Sequence, residues 1–282
     1  MNPSKNIKQQ LERAIGKLGS ISSNARLDSE VLLAHCLGKP RSYLMTWPER
    51  ELSDQQLDCF NDLIRRRLQP QPVAYLVGER EFYSMALKAA PATLVPRPET
   101  EMLVEQCLEL VADTERPQIL ELGTGTGAIA LALKEHAPKC RILATDVSAE
   151  ALAVARTNAQ SHHLEIEFIE SDWYRQVPAQ NFDIIVSNPP YIAASDPYLS
   201  QGDLPAEPQI ALSSGETGLE ALEMIINGAH NFLKPGGRIV LEHGYDQQQP
   251  VTELLQQAGF EDSQTERDFN DLPRMTQACW PI

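Results

Sequence analysis

Apolar positions near the N-terminus recur at spacings of three and four residues. Ile7, Leu11, Ile15 and Leu18 form one stripe; Leu27, Val31, Leu32 and His35 continue the spacing; Leu52, Leu57, Phe60, Leu63 and Ile64 form another. The pattern predicts helices, with Asp28 and Ser53 as N-caps and Gly38-Lys39-Pro40 as a stop. Pro70 and Pro72 end this stretch. Two β-leaning runs then flank Gly78, Val73-Ala74-Tyr75-Leu76-Val77 and Glu81-Phe82-Tyr83-Ser84-Met85, and predict a hairpin. A proline-rich segment, 91–98, leads into a helix over 100–111.

From Pro117 the pattern changes to alternating strand and helix. Strands are expected at 118–122, 141–145, 166–169, 182–186 and 238–242, and helices at 128–135, 149–161, 218–232 and 249–258, before C-terminal strand pieces. Such alternation implies an α/β fold, a mostly parallel sheet with helices on both faces. Ligands in such sheets bind at the carboxyl ends of strands, so the loops after the first, second and fourth strands should hold the chemistry. The parse is a helical domain over 1–72, a hairpin and linker over 73–98, and an α/β domain over 99–282.

Length and composition agree with two domains: 282 residues, 42% hydrophobic and 22% charged, fit a globular chain of about two average domains. A net charge of −15 argues against a broad cationic face for nucleic acid, because such binding draws on neutralised phosphates. It leaves room for a partner with a positive surface. The five cysteines, Cys36, Cys59, Cys107, Cys140 and Cys279, are scattered with no C-x-x-C pair, and are expected to be small apolar side chains in a reducing compartment. The N-terminus has no apolar signal-like core, and no stretch approaches the length of a membrane span. A cytoplasmic protein is expected.

The loop after the first α/β strand is Gly123-Thr124-Gly125-Thr126-Gly127, where missing Cβ atoms allow a sharp turn and close approach to a ligand. It fits a nucleotide-type cofactor, NAD or S-adenosylmethionine alike. Asp146, ending the second strand, is placed to accept hydrogen bonds from a ribose; the alternative is an N-cap for the next helix, a task Ser148 can perform.

The fourth strand decides between the cofactors. It ends in Asn188-Pro189-Pro190-Tyr191. Prolines cannot donate to a sheet ladder, so they turn the chain out and fix its dihedrals. The Pro189 carbonyl and the Asn188 side-chain oxygen then form two acceptors at fixed separation, suited to both hydrogens of one planar NH₂ group. Tyr191 is placed to stack on the group that carries it. An amide nitrogen is a poor nucleophile, because its lone pair is delocalised into the carbonyl. Holding both N–H bonds orients it toward an electrophile.

The glycine loop together with Asn-Pro-Pro-Tyr resembles class I S-adenosylmethionine-dependent methyltransferases acting on planar amino groups. Val73-Ala74-Tyr75-Leu76-x-Gly78, Arg80-Glu81-Phe82-Tyr83, the run from Pro91 to Glu101, Ser171-Asp172-Trp173 and Glu242-His243-Gly244 narrow the resemblance to the PrmC (HemK) family. Its members methylate the glutamine of the Gly-Gly-Gln motif in peptide chain release factors and so modulate translation termination. Pro96-Arg97-Pro98-Glu99-Thr100-Glu101 separates it from the sister family that acts on a ribosomal protein. The resemblance implies a Rossmann-like, mostly parallel seven-stranded sheet with a helical N-terminal domain that docks the substrate. It also implies that Gly123, Thr124, Gly125, Thr126 and Gly127 pack on the methionine and ribose parts of S-adenosylmethionine, with Asp146 on the ribose. Asp172 and Trp173 would flank the adenine, and Asn188 would lie beside the cofactor. Asn188, Pro189, Pro190 and Tyr191 would hold the substrate amide, Asn188, Pro189 and Tyr191 carrying the reaction with no metal. Class I release factors would be the partners of a monomeric chain, with no direct contact to nucleic acid or membrane.

The remaining candidates are weaker. Arg97 to Glu101 would either close over the methionine end of the cofactor or, through Thr100 and Glu101, cap a helix. His243 beside Glu242 suggests a base, although a histidine on a central strand is more often a hydrogen-bonded core residue. His162-His163 reads as a solvated helix end, and Arg65-Arg66-Arg67 as a complement to a helix C-terminus. The long loop 192–214 borders the expected site. Two other functions remain open from the residues alone: an amino methyltransferase acting on nucleic acid, and a non-catalytic cofactor-binding protein.

Overall fold

A computed structural model describes residues 5–281. The chain divides into two compact units, one running to Glu79 and taking in residues 200–206, the other comprising 80–199 and 207 onward. The first unit is helical: α1 (Ile7–Leu18), α2 (Ala25–Leu37), α3 (Arg41–Thr46), α4 (Asp54–Arg67) and α5 (Val73–Val77). Its core joins Ile7, Leu18, Leu32, Leu33, Phe60 and Leu76. Ser53 caps α4 with a full capping box, its hydroxyl accepting from the Gln56 amide. Gly38 ends α2 in the left-handed conformation, as the stop signal predicts.

Several details of this unit differ from expectation. Asp28 does not cap α2, which begins at Ala25. Its carboxylate instead pairs with Arg67, which also holds Asp203, so the expected helix-end arginine is a buried link between two acids. Residues 73–77 form one turn of helix, not a strand, between Pro72 and a left-handed Gly78. Proline opening and glycine closing outweigh the β-leaning side chains there. Cys36 and Cys59, expected as separate apolar thiols, are joined in a disulfide between α2 and α4, with Cα atoms 6.0 Å apart. Cys107 and Cys140 are the buried thiols of the expectation.

The hairpin lies further along the chain than expected: the second expected run is divided between its two strands, β1 (Glu79–Phe82) and β2 (Met85–Lys88), joined through Tyr83 and Ser84. Both turn residues have positive φ, which a two-residue hairpin with right-handed twist requires. The Glu101 carboxylate accepts from the Tyr83 amide at 2.9 Å and supports this turn.

The second unit continues with α6 (Glu101–Val111), β3 (Gln118–Leu122), α7 (Ala128–His136), β4 (Arg141–Asp146), α8 (Ala149–Ser161), β5 (Glu167–Glu170), β6 (Phe182–Ser187), α9 (Glu220–Ala229), β7 (Leu233–Glu242), α10 (Gln248–Gln257), β8 (Glu261–Arg267) and β9 (Pro273–Cys279). The strands form a seven-stranded sheet in the order β5-β4-β3-β6-β7-β9-β8, parallel except at β9, which runs antiparallel to both neighbours. The chain winds outward from β3 through β4 to β5, then returns to β6 on the other side of β3. That reversal opens a crevice above β3 and β6. Both sheet faces are covered: Leu131, Ile129 and Val104 belong to one apolar cluster, Leu222, Ile226 and Val251 to the other. The near-continuous apolar run of β6 follows from that double burial.

Candidate active site

Parallel register brings the site residues into one row. Leu122 pairs with Thr145 on one side and Ser187 on the other; Ser187 pairs with Leu241, and Asp146 with Glu170. The next residues out, Gly123, Ser171, Asn188 and Glu242, therefore share the carboxyl edge of the sheet with Asp146, each about one strand spacing of ~4.8 Å from its neighbour. The Ser187 hydroxyl donates to the Leu122 carbonyl at 2.8 Å and fastens β6 to β3 just below the edge.

A cavity of about 320 Å³ opens on this edge, within the usual range for a small-molecule site. Gly123, Thr124, Gly125, Thr126, Asp146, Asp172, Trp173, Asn188 and Pro190 all line it, so the glycine loop and the proline corner face one space. Gly127, Pro189 and Tyr191 are not among its lining side chains. Gly127 instead opens α7 with φ +83°, where a Cβ would lie 3.1 Å from Leu131 and 3.3 Å from Ala155.

The donor set fits S-adenosylmethionine. Asp146 is expected at a ribose, and its two oxygens are already oriented: one accepts from the Gly125 amide at 2.8 Å, the other from the Ser148 amide at 2.9 Å. Each oxygen keeps a lone pair for a further donor. The N-cap alternative falls to Ser148, whose hydroxyl accepts from the Ala151 amide. Burial pushes the Asp146 carboxyl up, while the backbone N–H bonds oppose it. Gly125 has φ +54° and open space where a Cβ would stand, a cradle for a ligand against the backbone. Glu121, at the base of the cavity, is fully buried and accepts from the Thr124 hydroxyl at 2.7 Å and the Ala130 amide at 3.0 Å. Burial raises it to about 8, against those hydrogen bonds.

Trp173 sits in the left-handed region at φ +48°, a costly conformation for a bulky residue. The Ser171 hydroxyl holds it by donating to the Trp173 carbonyl at 2.7 Å. Its indole lines the cavity as a flat apolar wall beside the Asp172 carboxylate, an arrangement suited to an aromatic base bearing an amino group.

At the proline corner the Asn188 side-chain NH₂ donates to the Thr100 hydroxyl at 2.9 Å. Asn188 lines the cavity, and neither its side-chain oxygen nor the Pro189 carbonyl accepts from a described donor. Tyr191 departs from expectation. Its ring packs on the apolar cluster under β7, and its hydroxyl donates to the Glu242 carboxylate at 3.2 Å. A stacking wall is thus replaced by a brace.

Other residues take partners that the sequence did not show. Thr100 donates to Glu242 at 2.7 Å and caps nothing. Glu207, from the long loop, is buried, accepts from the Val95 amide at 3.0 Å and pairs with Arg97, fixing the cavity wall formed by residues 92–97. For Glu207 the sequence offers only an acid in a long, proline-containing loop. His243 is a hydrogen-bonded core residue: fully buried, bonded to the Gly244 carbonyl and the Thr276 hydroxyl, with burial pushing it down. No group of metal-ligating side chains occurs among the described residues, nor does any helix long and apolar enough to cross a membrane.

Comparison with known proteins gives matches for both units. Residues 98–200 match the methyltransferase small domain and residues 9–78 the PrmC N-terminal domain. A release factor glutamine methyltransferase of Shewanella oneidensis is 44% identical over 97% of this chain and 96% of its own. That of Escherichia coli is 43% identical over 94% of this chain and 96% of its own. Among solved structures, a Thermus thermophilus 16S rRNA methyltransferase in complex with AdoMet and guanosine superposes with a TM-score of 0.52 at 20% identity, covering 71% of this chain and 49% of that one; it supports the fold. By the extent and level of these similarities, the chain belongs to the release factor glutamine methyltransferase family.

Proposed function

We infer that the chain transfers a methyl group from S-adenosylmethionine to the side-chain amide nitrogen of a glutamine, that of the Gly-Gly-Gln motif in class I release factors. The observation that carries this reading is that Asn188, whose side-chain NH₂ is engaged by Thr100 and whose carbonyl oxygen meets no described donor, lines the same cavity as the glycine loop. S-adenosylmethionine supplies an electrophilic methyl on a sulfonium centre. The Asp146 carboxylate takes the ribose hydroxyls, and Trp173 and Asp172 take the adenine. Gly123, Gly125 and the backbone between them leave room for the methionine portion.

The Asn188 oxygen and the Pro189 carbonyl accept the two N–H bonds of the glutamine amide. Both hydrogens are then held in the plane of the acceptors, and the nitrogen turns one face toward the cofactor. As the N–CH₃ bond forms, the S–CH₃ bond breaks with its electron pair left on sulfur, giving S-adenosylhomocysteine, and partial negative charge on those acceptors stabilises the positive charge that builds on nitrogen. The proton departs after transfer, when the methylated nitrogen is strongly acidic, so no dedicated strong base is needed. Pro190 shapes the wall, and Tyr191 holds the corner from below. The helical unit docks the release factor.

The net charge of −15 favours this protein substrate over DNA or RNA bases. The test is incubation with methyl-labelled S-adenosylmethionine and a purified release factor. Label is expected in the intact factor and lost when its Gly-Gly-Gln glutamine is changed to alanine; label persisting in that variant refutes the reading.

A further inference from the structure

Asn188 poses a problem of direction. Its carboxamide has an acceptor end and a donor end of nearly the same shape, and only the acceptor end can receive a substrate N–H. Rotation by half a turn would present an NH₂ group to another NH₂ group. Something in the protein must tell the two ends apart.

We propose that Glu242 and Thr100 act as positioning residues that fix the direction of the Asn188 amide, keeping its oxygen toward the substrate. Thr100 has one hydroxyl hydrogen, and it is committed to Glu242 Oε2 at 2.7 Å. The Thr100 oxygen facing Asn188 is therefore an acceptor only. It selects the NH₂ end of Asn188, which donates to it at 2.9 Å, and leaves the carbonyl end as the free acceptor of a residue that lines the cavity. The second Glu242 oxygen takes the Tyr191 hydroxyl, so one carboxylate braces both ends of the Asn-Pro-Pro-Tyr corner. Glu242 does not line the cavity and is fully buried, as suits a group acting through others. The inference rests on the amide-methylating role of Asn188 proposed above.

The relay requires Glu242 to be ionised. A protonated Glu242 can donate to Thr100, freeing the threonine hydrogen to point at Asn188 and admit the inverted amide. Burial raises Glu242 to about 7, opposed by the hydrogen bonds from Thr100 and Tyr191 and by the Arg274 guanidinium of β9, and reinforced by Glu99. Next to it, just past the end of β7, His243 is occupied with Thr276 and Gly244, and Arg274 is shared with Asp268.

The experiment compares wild type, Thr100→Val, Thr100→Ser, Glu242→Gln and the Thr100→Val/Glu242→Gln double variant in the release-factor methylation assay from acid to alkaline pH. S-adenosylmethionine affinity is measured alongside by calorimetry, which reports on folding of the cofactor site. Thr100→Val and Glu242→Gln should each lower kcat about tenfold or more, the scale of one misdirected hydrogen bond, with cofactor affinity within about twofold. The wild-type rise in kcat through about pH 7 should disappear in both. Thr100→Ser should restore rate and pH dependence, and the double variant should be no worse than the poorer single one, since both break one relay. A Thr100→Val enzyme with wild-type kcat and an unchanged pH rise overturns the relay, as do losses that multiply in the double variant. Absence of label with wild-type enzyme instead refutes the underlying reading, and the relay with it.

Discussion

Asp146→Asn probes the cofactor assignment with almost no change in shape. In the structure both carboxylate oxygens already accept backbone N–H groups, from Gly125 at 2.8 Å and Ser148 at 2.9 Å. An asparagine has one acceptor end, so its NH₂ must face one of those N–H groups wherever it turns. The loop loses one hydrogen bond, and the ribose loses at least one charge-assisted acceptor, worth about 1.5–3 kcal/mol. At 1.4 kcal/mol per tenfold, the dissociation constant for S-adenosylmethionine should rise roughly 10- to 100-fold. Calorimetric titration measures this directly. At saturating cofactor kcat should fall less than the affinity, because Asp146 touches no reacting atom. An affinity within twofold of wild type would refute the ribose role and the geometry from which the magnitude is built.

Further predictions concern the scaffold. Arg67→Ala leaves the Asp28 and Asp203 carboxylates without their shared cation, and should cost about 3 kcal/mol or more in urea unfolding, since Arg67 itself is almost wholly buried; a cost under about 1 kcal/mol would remove the link from the account. Glu121 and Glu242 are raised by burial from near 4.5 to about 8 and about 7. The folded chain binds their protons more tightly than the unfolded one, so stability from these groups is full below about pH 4.5 and is lost as pH rises through 7 and 8. Unfolding free energy measured from pH 5 to 9 should carry that downward component, and Glu242→Gln should reduce it, leaving the part due to Glu121. Glu207→Ala removes the acceptor of the Val95 amide, and hydrogen exchange at that amide should accelerate at least tenfold, or the loop is held by something else.

Legibility in the sequence followed how local each feature is. The glycine loop, Asp146, Asp172-Trp173 and Asn-Pro-Pro-Tyr are short runs at strand ends, and parallel pairing sets them side by side once the strands are recognised. The brace beneath them joins Thr100, Tyr191 and Glu242, residues far apart in the chain that meet only when α6 packs beside β7. The same holds for Glu207 with Arg97, Arg67 with Asp203, and Cys36 with Cys59. Residues 73–77 were misread because their side chains favour strands, while Pro72 and Gly78 at the ends and packing of Leu76 into the helical core favour a turn of helix. Tyr191 was expected in the cavity because stacking is what an aromatic at such a corner offers. A buried acceptor, Glu242, draws its hydroxyl the other way.

The most direct test of the central claim, that Asn188 and Pro189 hold a glutamine amide for methyl transfer, is fragmentation mass spectrometry of the Gly-Gly-Gln peptide after incubation. Wild-type enzyme should add one methyl group to the glutamine side chain. Asn188→Ala should add none detectable while still binding S-adenosylmethionine within about tenfold of wild type. A glutamine methylated at the normal rate by Asn188→Ala, or a methyl placed on any other residue by wild type, would contradict it.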